Sequence, residues 1–307
     1  MSDFEKDLSL AADSRWEEPL ERVFFEAGML LGVSATRTEQ DYHRRRLTRH
    51  QHWLHGSGTV LGLAVTLDSE PATGEAEDTT VRILIGPGLG IDGLGREVLV
   101  PGPYCLDLGE WMQAQQSGAL RDGRDGAGAL WLSVTMRFQD CPHALQPVMA
   151  RKVNAGTDPV QPARIRDGVL LELVPELPPG EDGDAPPGWP GLGPLPDAAQ
   201  AATARTPAEQ ARVDGAGDAL QARRLELASR LIYALPPEPE ALGPGVTDPA
   251  TVARTLLARL RIALREDDSP ILNPAHITVD NLSRPVVANP AQLAWLMRQT
   301  LREGTPS

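Results

Sequence analysis

The sequence predicts an α+β fold: a small antiparallel β core carrying one long helix, then a helical C-terminal part joined through Pro/Gly-rich linkers. Three observations predict it. Residues 35–54 run without proline or glycine and stop before Gly56. Residues 80–100 alternate apolar and polar side chains around glycine-rich bends. Residues 178–196 are dense in proline and glycine and divide the chain. The expected organisation is an N-terminal tail at 1–20, a core at 21–177, a linker at 178–197 and a mainly helical region at 198–307.

In the tail, Trp16 is the one strong anchor, expected to pack back onto its own domain because it carries so much apolar area. Val23–Phe25 and Met29–Leu31 are apolar runs broken by Gly28, which suits a short strand with a turn. Ser34 stands where a helix N-cap should, with a side-chain oxygen to accept an orphan amide hydrogen. Tyr42, Leu47 and Leu54, with Trp53 beside them, give the helix a sparse apolar stripe. Gly56 is the left-handed residue that ends it, and Thr59–Leu67 reads as a strand.

Asp68–Thr79 is an acidic surface loop. Thr80–Ile85 is a strand with Val81, Ile83 and Ile85 on one face. After the Gly86-Pro87-Gly88 turn, Ile91–Val100 is a hairpin whose glycines supply the bend, ended by Pro101 and Pro103. This meander is expected to pack on the long helix. Leu106–Gln116 reads as a short helix, Arg121–Gly128 as a loop, and Ala129–Phe138 and Ile165–Val174 as strands. Gln139–Arg164, without periodicity, reads as a long excursion.

Residues 178–196 offer too little apolar mass to offset chain entropy. Ala198–Leu235 is a helix interrupted near Gly215 and Gly217, and Pro236–Pro249 is a second linker. Asp248 caps and Pro249 begins a helix running to about Arg265 through Val252, Leu256, Leu257, Leu260 and Leu264. His276–Val279 and Pro285–Val287 are short strands around an Asp280–Arg284 turn, and a helix follows from Pro290 to Arg302.

The net charge of −13 argues against general nucleic-acid binding and against an anionic membrane surface. No window approaches about 18 consecutive apolar residues, so membrane insertion is not expected. The acidic N-terminus shows no apolar signal core, so the protein is expected to be made and folded in the cytoplasm. Cys105 and Cys141 read as free, buried thiols of a reducing compartment.

Candidate chemistry is thin. Of His43, His50, His52 and His55, only His52 and His55 have metal-ligand spacing, and histidines at a helix C-terminus more commonly answer its dipole. Cys105 with Cys141 and His143 is one ligand short of a closed zinc site. Residues 86–90 (GPGLG) lack the lysine and the following helix of a phosphate loop. Asp92 and Glu97 flank the hairpin and read as turn residues facing solvent rather than as an acid–base pair. No metal, cofactor or catalytic residue is therefore expected. Arg44, Arg45, Arg46 and Arg49, with Arg37, form a basic stripe on an acidic protein. The plainer reading is a solvated face; the sharper is docking on an acidic neighbouring subunit, where arginine favours bidentate carboxylate contacts.

Four blocks carry a resemblance. They are GMLLGV, EQDYHRRRL and LHGSGTVLGLAV within residues 28–65; GPGLGIDGLGREVLVP at Gly86–Pro101; ARIRDGVLLELVPE at Ala163–Glu176; and ITVDNLSRPVVANPAQLAWLM at Ile277–Met297. Together they resemble a family associated with phage-tail-like, extracellular contractile injection systems. In that family the Cys141 loop often carries further cysteines, absent here. The resemblance assigns no catalytic residue. It implies a non-catalytic structural or adaptor component, at the baseplate or spike end, assembled in the cytoplasm into a particle that can be released. The implied partners are other particle subunits, and a homo-oligomer is compatible. Two other classes stay open: a glycan- or receptor-binding tail-associated module, and an enzyme with a site hidden in Gln139–Arg164.

Overall fold

The computed structural model describes residues 9–15, 19–69, 78–116, 118–147, 160–178, 198–233 and 248–295. The fold is α+β, and its centre is a three-stranded meander in which every strand bends in the middle. The first strand is β1, Gly58–Gly62, and β2, Val65–Ser69; the second is β3, Val81–Ile85, and β4, Gly88–Ile91; the third is β5, Glu97–Val100, and β6, Tyr104–Asp107. One half-sheet has the order β1-β4-β5 and the other β2-β3-β6, all antiparallel. Gly62 and Leu63 take positive φ at the first bend. Leu63 N donates to Pro87 O at 3.2 Å and Gly86 N to Ala64 O at 2.9 Å, so pairing continues around the corner.

A second sheet of order β10-β9-β7-β8 faces the meander. It consists of β7, Ala129–Pro147; β8, Val160–Pro175; β9, Thr255–Ala263; and β10, Ile277–Asp280. Leu63, Ile83 and Ile85 from the meander and Leu132, Leu260 and Ile262 from this sheet are buried in one core. That interior removes the apolar face of both layers from water, the main driving force for this arrangement. At the seam between the layers Asn281 pairs with Val65: its Oδ1 accepts from Val65 N and its Nδ2 donates to Val65 O, both at 2.9 Å. Arg284, buried beside it, donates to Leu63 O at 2.7 Å and to the Asn281 carbonyl at 2.9 Å.

Among the described residues the helices are α1, Leu10–Asp13; α2, Val33–His55; α3, Leu108–Ala114; α4, Ala198–Ala204; α5, Pro207–Asp214; α6, Ala219–Tyr233; and α7, Pro249–Ala253; residues 290–295 are helical as expected, and α4 and α5 pack on α6. The 198–233 segment breaks at Gly215–Asp218 as expected, and again at Arg205, where Thr206 and Glu209 form a reciprocal capping box.

Several expectations are corrected. The helix expected from Pro249 to Arg265 stops at Ala253, and residues 255–263 form β9, a central strand paired with β7 and β10. Asp248 does cap, accepting from Ala250 N at 3.1 Å. The register between β7 and β9 shifts between Val134 and Thr135, so Leu257 and Ala258 are both buried. This bulge breaks the period of two and makes the apolar positions look helical. The mainly helical region at 198–307 thus contributes two strands to the core sheet. Pro285–Val287 makes only a parallel bridge, Val286 to Thr59. Val23–Leu31 is irregular, with a turn closed by Met29 N on Glu26 O, because no neighbouring strand pairs with it. Of the excursion expected at Gln139–Arg164, residues 148–159 lie outside the described residues, and 139–147 and 160–164 instead belong to the outer half of a β7–β8 ribbon, registered from Gln139↔Gly168 to Pro147↔Val160. Its alternation is invisible because most of its side chains beyond Asp140 face solvent on both sides. Residue 106 belongs to β6, so the short helix starts at Leu108. Trp16, nearly all of the 178–197 linker, the 236–247 linker and the chain after Trp295 lie outside the described residues.

The hairpin tip sets a measurable limit on packing. A Cβ on Gly95, whose φ is +82°, would lie 2.1 Å from Thr48 O of α2. Gly95→Ala should therefore cost about 2–3 kcal/mol in urea unfolding, whereas Gly102→Ala, with nothing within 4 Å, should be near neutral. Equal stability of the two variants would contradict the close approach.

Candidate functional site

The site is built outward from the β4–β5 hairpin tip, residues 92–96. Asp92 and Arg96 are both buried, and Arg96 Nε donates to Asp92 Oδ2 at 2.8 Å. The carboxylate also accepts from Leu94 N at 3.0 Å, Arg96 N at 2.9 Å and Phe138 N at 3.2 Å. The guanidinium lies 5.0 Å from the centroid of the Phe138 ring. Burial pushes the Asp92 carboxyl above its ordinary value, against the pull of Arg96 and the backbone N–H groups. Gly93 N donates to Ala253 O at 3.1 Å, and Leu94 packs against Ala253, Val252 and Leu10. One turn thus joins β7, α7, α1 and α2. Asp92 was expected to face solvent; it is the most enclosed charge of the tip, while Glu97 is exposed, so the two carboxylates never meet. The readable signal was an aspartate four residues before an arginine across a double-glycine turn.

Helix α2 docks on this tip by one face. Gly32 is its N-cap, so Ser34 sits inside the first turn rather than capping it. Gly56, with φ 74°, closes the other end, donating to Gln51 O and His52 O. Thr48 is the one buried residue of the helix's 23. His52 Nδ1 lies 3.0 Å from Gly93 O, and burial lowers its pKa from 6.5 to about 4.

Four arginines of the basic stripe have partners within the chain. Arg44 pairs with the buried Asp13 and with Asp41, each at 2.8 Å. Arg45 and Arg49 both donate to Arg15 O, and Arg46 donates to Tyr42 Oη at 2.8 Å. Residues 9–15 form a strap held along α2, and its other end is tied down by Ser9 N donating to Asp140 Oδ2 at 2.8 Å. An open cleft of about 560 Å³ lies beside it, lined by Ser9, Arg37, Gln40, Asp140, Ile165 and Asp167 among others.

The histidines are scattered rather than convergent. His43 Nε2 is 3.0 Å from Glu39, His50 meets the His55 ring edge-on, and His52 faces the hairpin. Cys105 and Cys141 are both exposed, not buried as expected, because each lies on a strand with solvent on its outer face. Among the described residues no group of three or more His, Cys, Asp or Glu is arranged to hold a metal ion, and no helix is long and apolar enough to cross a membrane. The glycines at 86–90 link β3 to β4; a Cβ on Gly88 would lie 2.3 Å from Leu61 O, so close strand packing accounts for it.

The face of α2 turned away from the body is bare. Leu47 is 57% exposed and Leu54 66%, so the expected apolar stripe points to solvent. Before the helix Phe24, Phe25, Met29, Leu30 and Leu31 are all exposed, Leu30 to 97%, as is Val33 at its first position. Val23 N donates to Glu39 Oε2 at 3.0 Å, which holds this apolar turn at the N-terminal end of the helix. Neither a protein-family model nor a curated protein matches the chain.

Two outcomes follow from this geometry. Neutral in the fold, His52 binds fewer protons than in the unfolded chain between pH 6.5 and about 4. Stability should therefore fall as pH drops through that window, by on the order of 2–3 kcal/mol. A urea series for His52→Gln should show that component flattened; an unchanged slope would remove His52 as its cause. Secondly, Arg45→Glu with Arg49→Glu should release the strap. Brief trypsin treatment should then cut at Arg15 in the variant and spare it in the parent, while the core unfolds at nearly the same temperature.

Proposed function

We propose that the chain is a non-catalytic assembly subunit, an adaptor of a phage-tail-like contractile injection particle near its baseplate or spike end. The observation that carries the assembly reading is α2. Its 23 residues bury only Thr48, and it ends in an apolar turn exposed to water. Surface of that kind on a soluble fold marks a contact with another chain, and 23 residues span about 34 Å, long enough to bridge subunits. The resemblance of the four sequence blocks supplies the particle; two of them fall on α2 with its turn and on the hairpin tip that holds it. The partners in this reading are other particle subunits rather than nucleic acid or a lipid bilayer.

Localisation follows the reading: assembly inside the producing cell and release with the particle. The test is co-sedimentation. A tagged full-length chain expressed in a particle-producing cell should pellet with sheathed particles through a dense cushion and remain bound after a salt wash. A chain found only in the supernatant of a preparation that does contain particles overturns the particle assignment.

A further inference from the structure

We propose that α2 and the apolar turn before it pair with the same elements of a second copy, as a parallel two-stranded coiled coil. This deepens the assembly reading and rests on it only in taking the bare face as a contact surface. The first observation is spacing. Val33, Gln40, Leu47 and Leu54 stand seven residues apart, and Thr36, His43 and His50 interleave with them at the matching three–four offset. All seven are exposed. In the same heptad frame Arg45, Thr48, Arg49 and His52, which touch the body or its strap, fall at the outer positions, while Arg44, paired with Asp13 of the strap, and Glu39, holding Val23 N, flank the seam. The side that the fold leaves uncovered thus carries three apolar first positions, Val33, Leu47 and Leu54, with the polar Thr36, His43 and His50 between them.

The chemistry of the seam selects the occupant. Four of the seven seam residues, Thr36, Gln40, His43 and His50, are polar; polar residues in a seam specify register at a cost in stability. The apolar turn offsets that cost. In a parallel pair both turns lie at the same end, so Phe24, Phe25, Leu30 and Leu31 of each copy meet their equivalents. Together with Val33, Leu47 and Leu54 this removes on the order of 700 Å² of apolar side chain from water per copy, near the roughly 800 Å² per partner of a standard interface. Charge fixes the direction. In parallel register Glu39, besides holding Val23 N, lies across from Arg44 of the second copy, whereas antiparallel pairing would set Arg37 of one copy against Arg44 of the other. The stretch 20–55 carries six arginines against Glu21, Glu26, Glu39 and Asp41, on a chain whose net charge is −13. It is thus a place where two acidic molecules approach without strong repulsion.

The experiment uses the full chain with Cys105→Ser and Cys141→Ser, which removes the two exposed native thiols. Single variants Leu47→Cys, Leu54→Cys and, on the body face, Arg45→Cys are oxidised and run on a non-reducing gel. Sedimentation velocity should show the parent as a dimer at micromolar concentration. Leu47→Cys and Leu54→Cys should each give a covalent dimer, and Arg45→Cys should not. Leu47→Glu with Leu54→Glu should sediment as a monomer with the parent's melting temperature. Cross-linking at only one of the two seam positions would indicate an antiparallel pair and overturn the parallel arrangement. A parent that stays monomeric overturns self-pairing altogether, and co-sedimentation with particles would still decide the assembly reading separately.

Discussion

The buried pair Asp92–Arg96 is the interaction on which the rest of the structure depends. Two opposite charges removed from water gain little net stability as a pair, but either one alone would be a heavy penalty. Their geometry dictates the shape of the turn. With Asp92 accepting from Leu94 N, Arg96 N and Phe138 N, the loop has one compatible backbone path. That path thrusts Gly93 and Gly95 into van der Waals contact with α7 and α2, where a side chain has no room. The ion pair therefore acts as a specification device: it aims one turn at three elements that share no sheet with it.

The long helix is a consequence of that aim rather than of its own burial. Helices in proteins draw most of their stability from tertiary packing of one face, and α2 buries only Thr48. What holds it is a set of polar clamps spaced along one side: His52 on Gly93, Arg45 and Arg49 on the strap carbonyl, Arg44 on Asp13, and Glu39 on Val23 N. The arginines that looked surplus on an acidic chain are thus explained first by the strap, through Asp13 and the Arg15 carbonyl. Because each clamp engages the inner or flanking side, the outer side is free of structural duty, and its side chains answer to something else.

Much of the architecture was legible. The long helix, its glycine stop, the β3 strand and the β4–β5 hairpin follow from period and punctuation, since each has one face toward the core. What could not be read has a local cause in each case. The bulge at Leu257 mixed two periods and disguised a central strand as a helix. The outer ribbon has no apolar face, so its pairing left no trace in hydropathy. Asp92 looked like an ordinary turn residue because nothing local shows that three elements enclose it. On α2 the apolar stripe was visible, but its direction was not: Leu47 and Leu54 suggest a buried face, and the fold puts Thr48 and His52 there instead.

That inversion bears on how the surface is to be understood. A helix that needed only to cover a core would place leucine inward and its polar residues outward. Here small and polar residues face the hairpin because the body approaches by backbone: Gly95 meets Thr48 O, and Gly93 O meets His52. Such a contact wants close approach and directed hydrogen bonds, which Thr and His provide and Leu would block. The apolar residues are thereby displaced to the far side, joined by Phe24, Phe25 and Leu30 in the turn before the helix. Exposure of so many large side chains has a solubility cost that isolated chains rarely sustain. Two independent choices in one stretch, polar residues where the chain touches itself and apolar ones where it does not, support the proposed assembly reading.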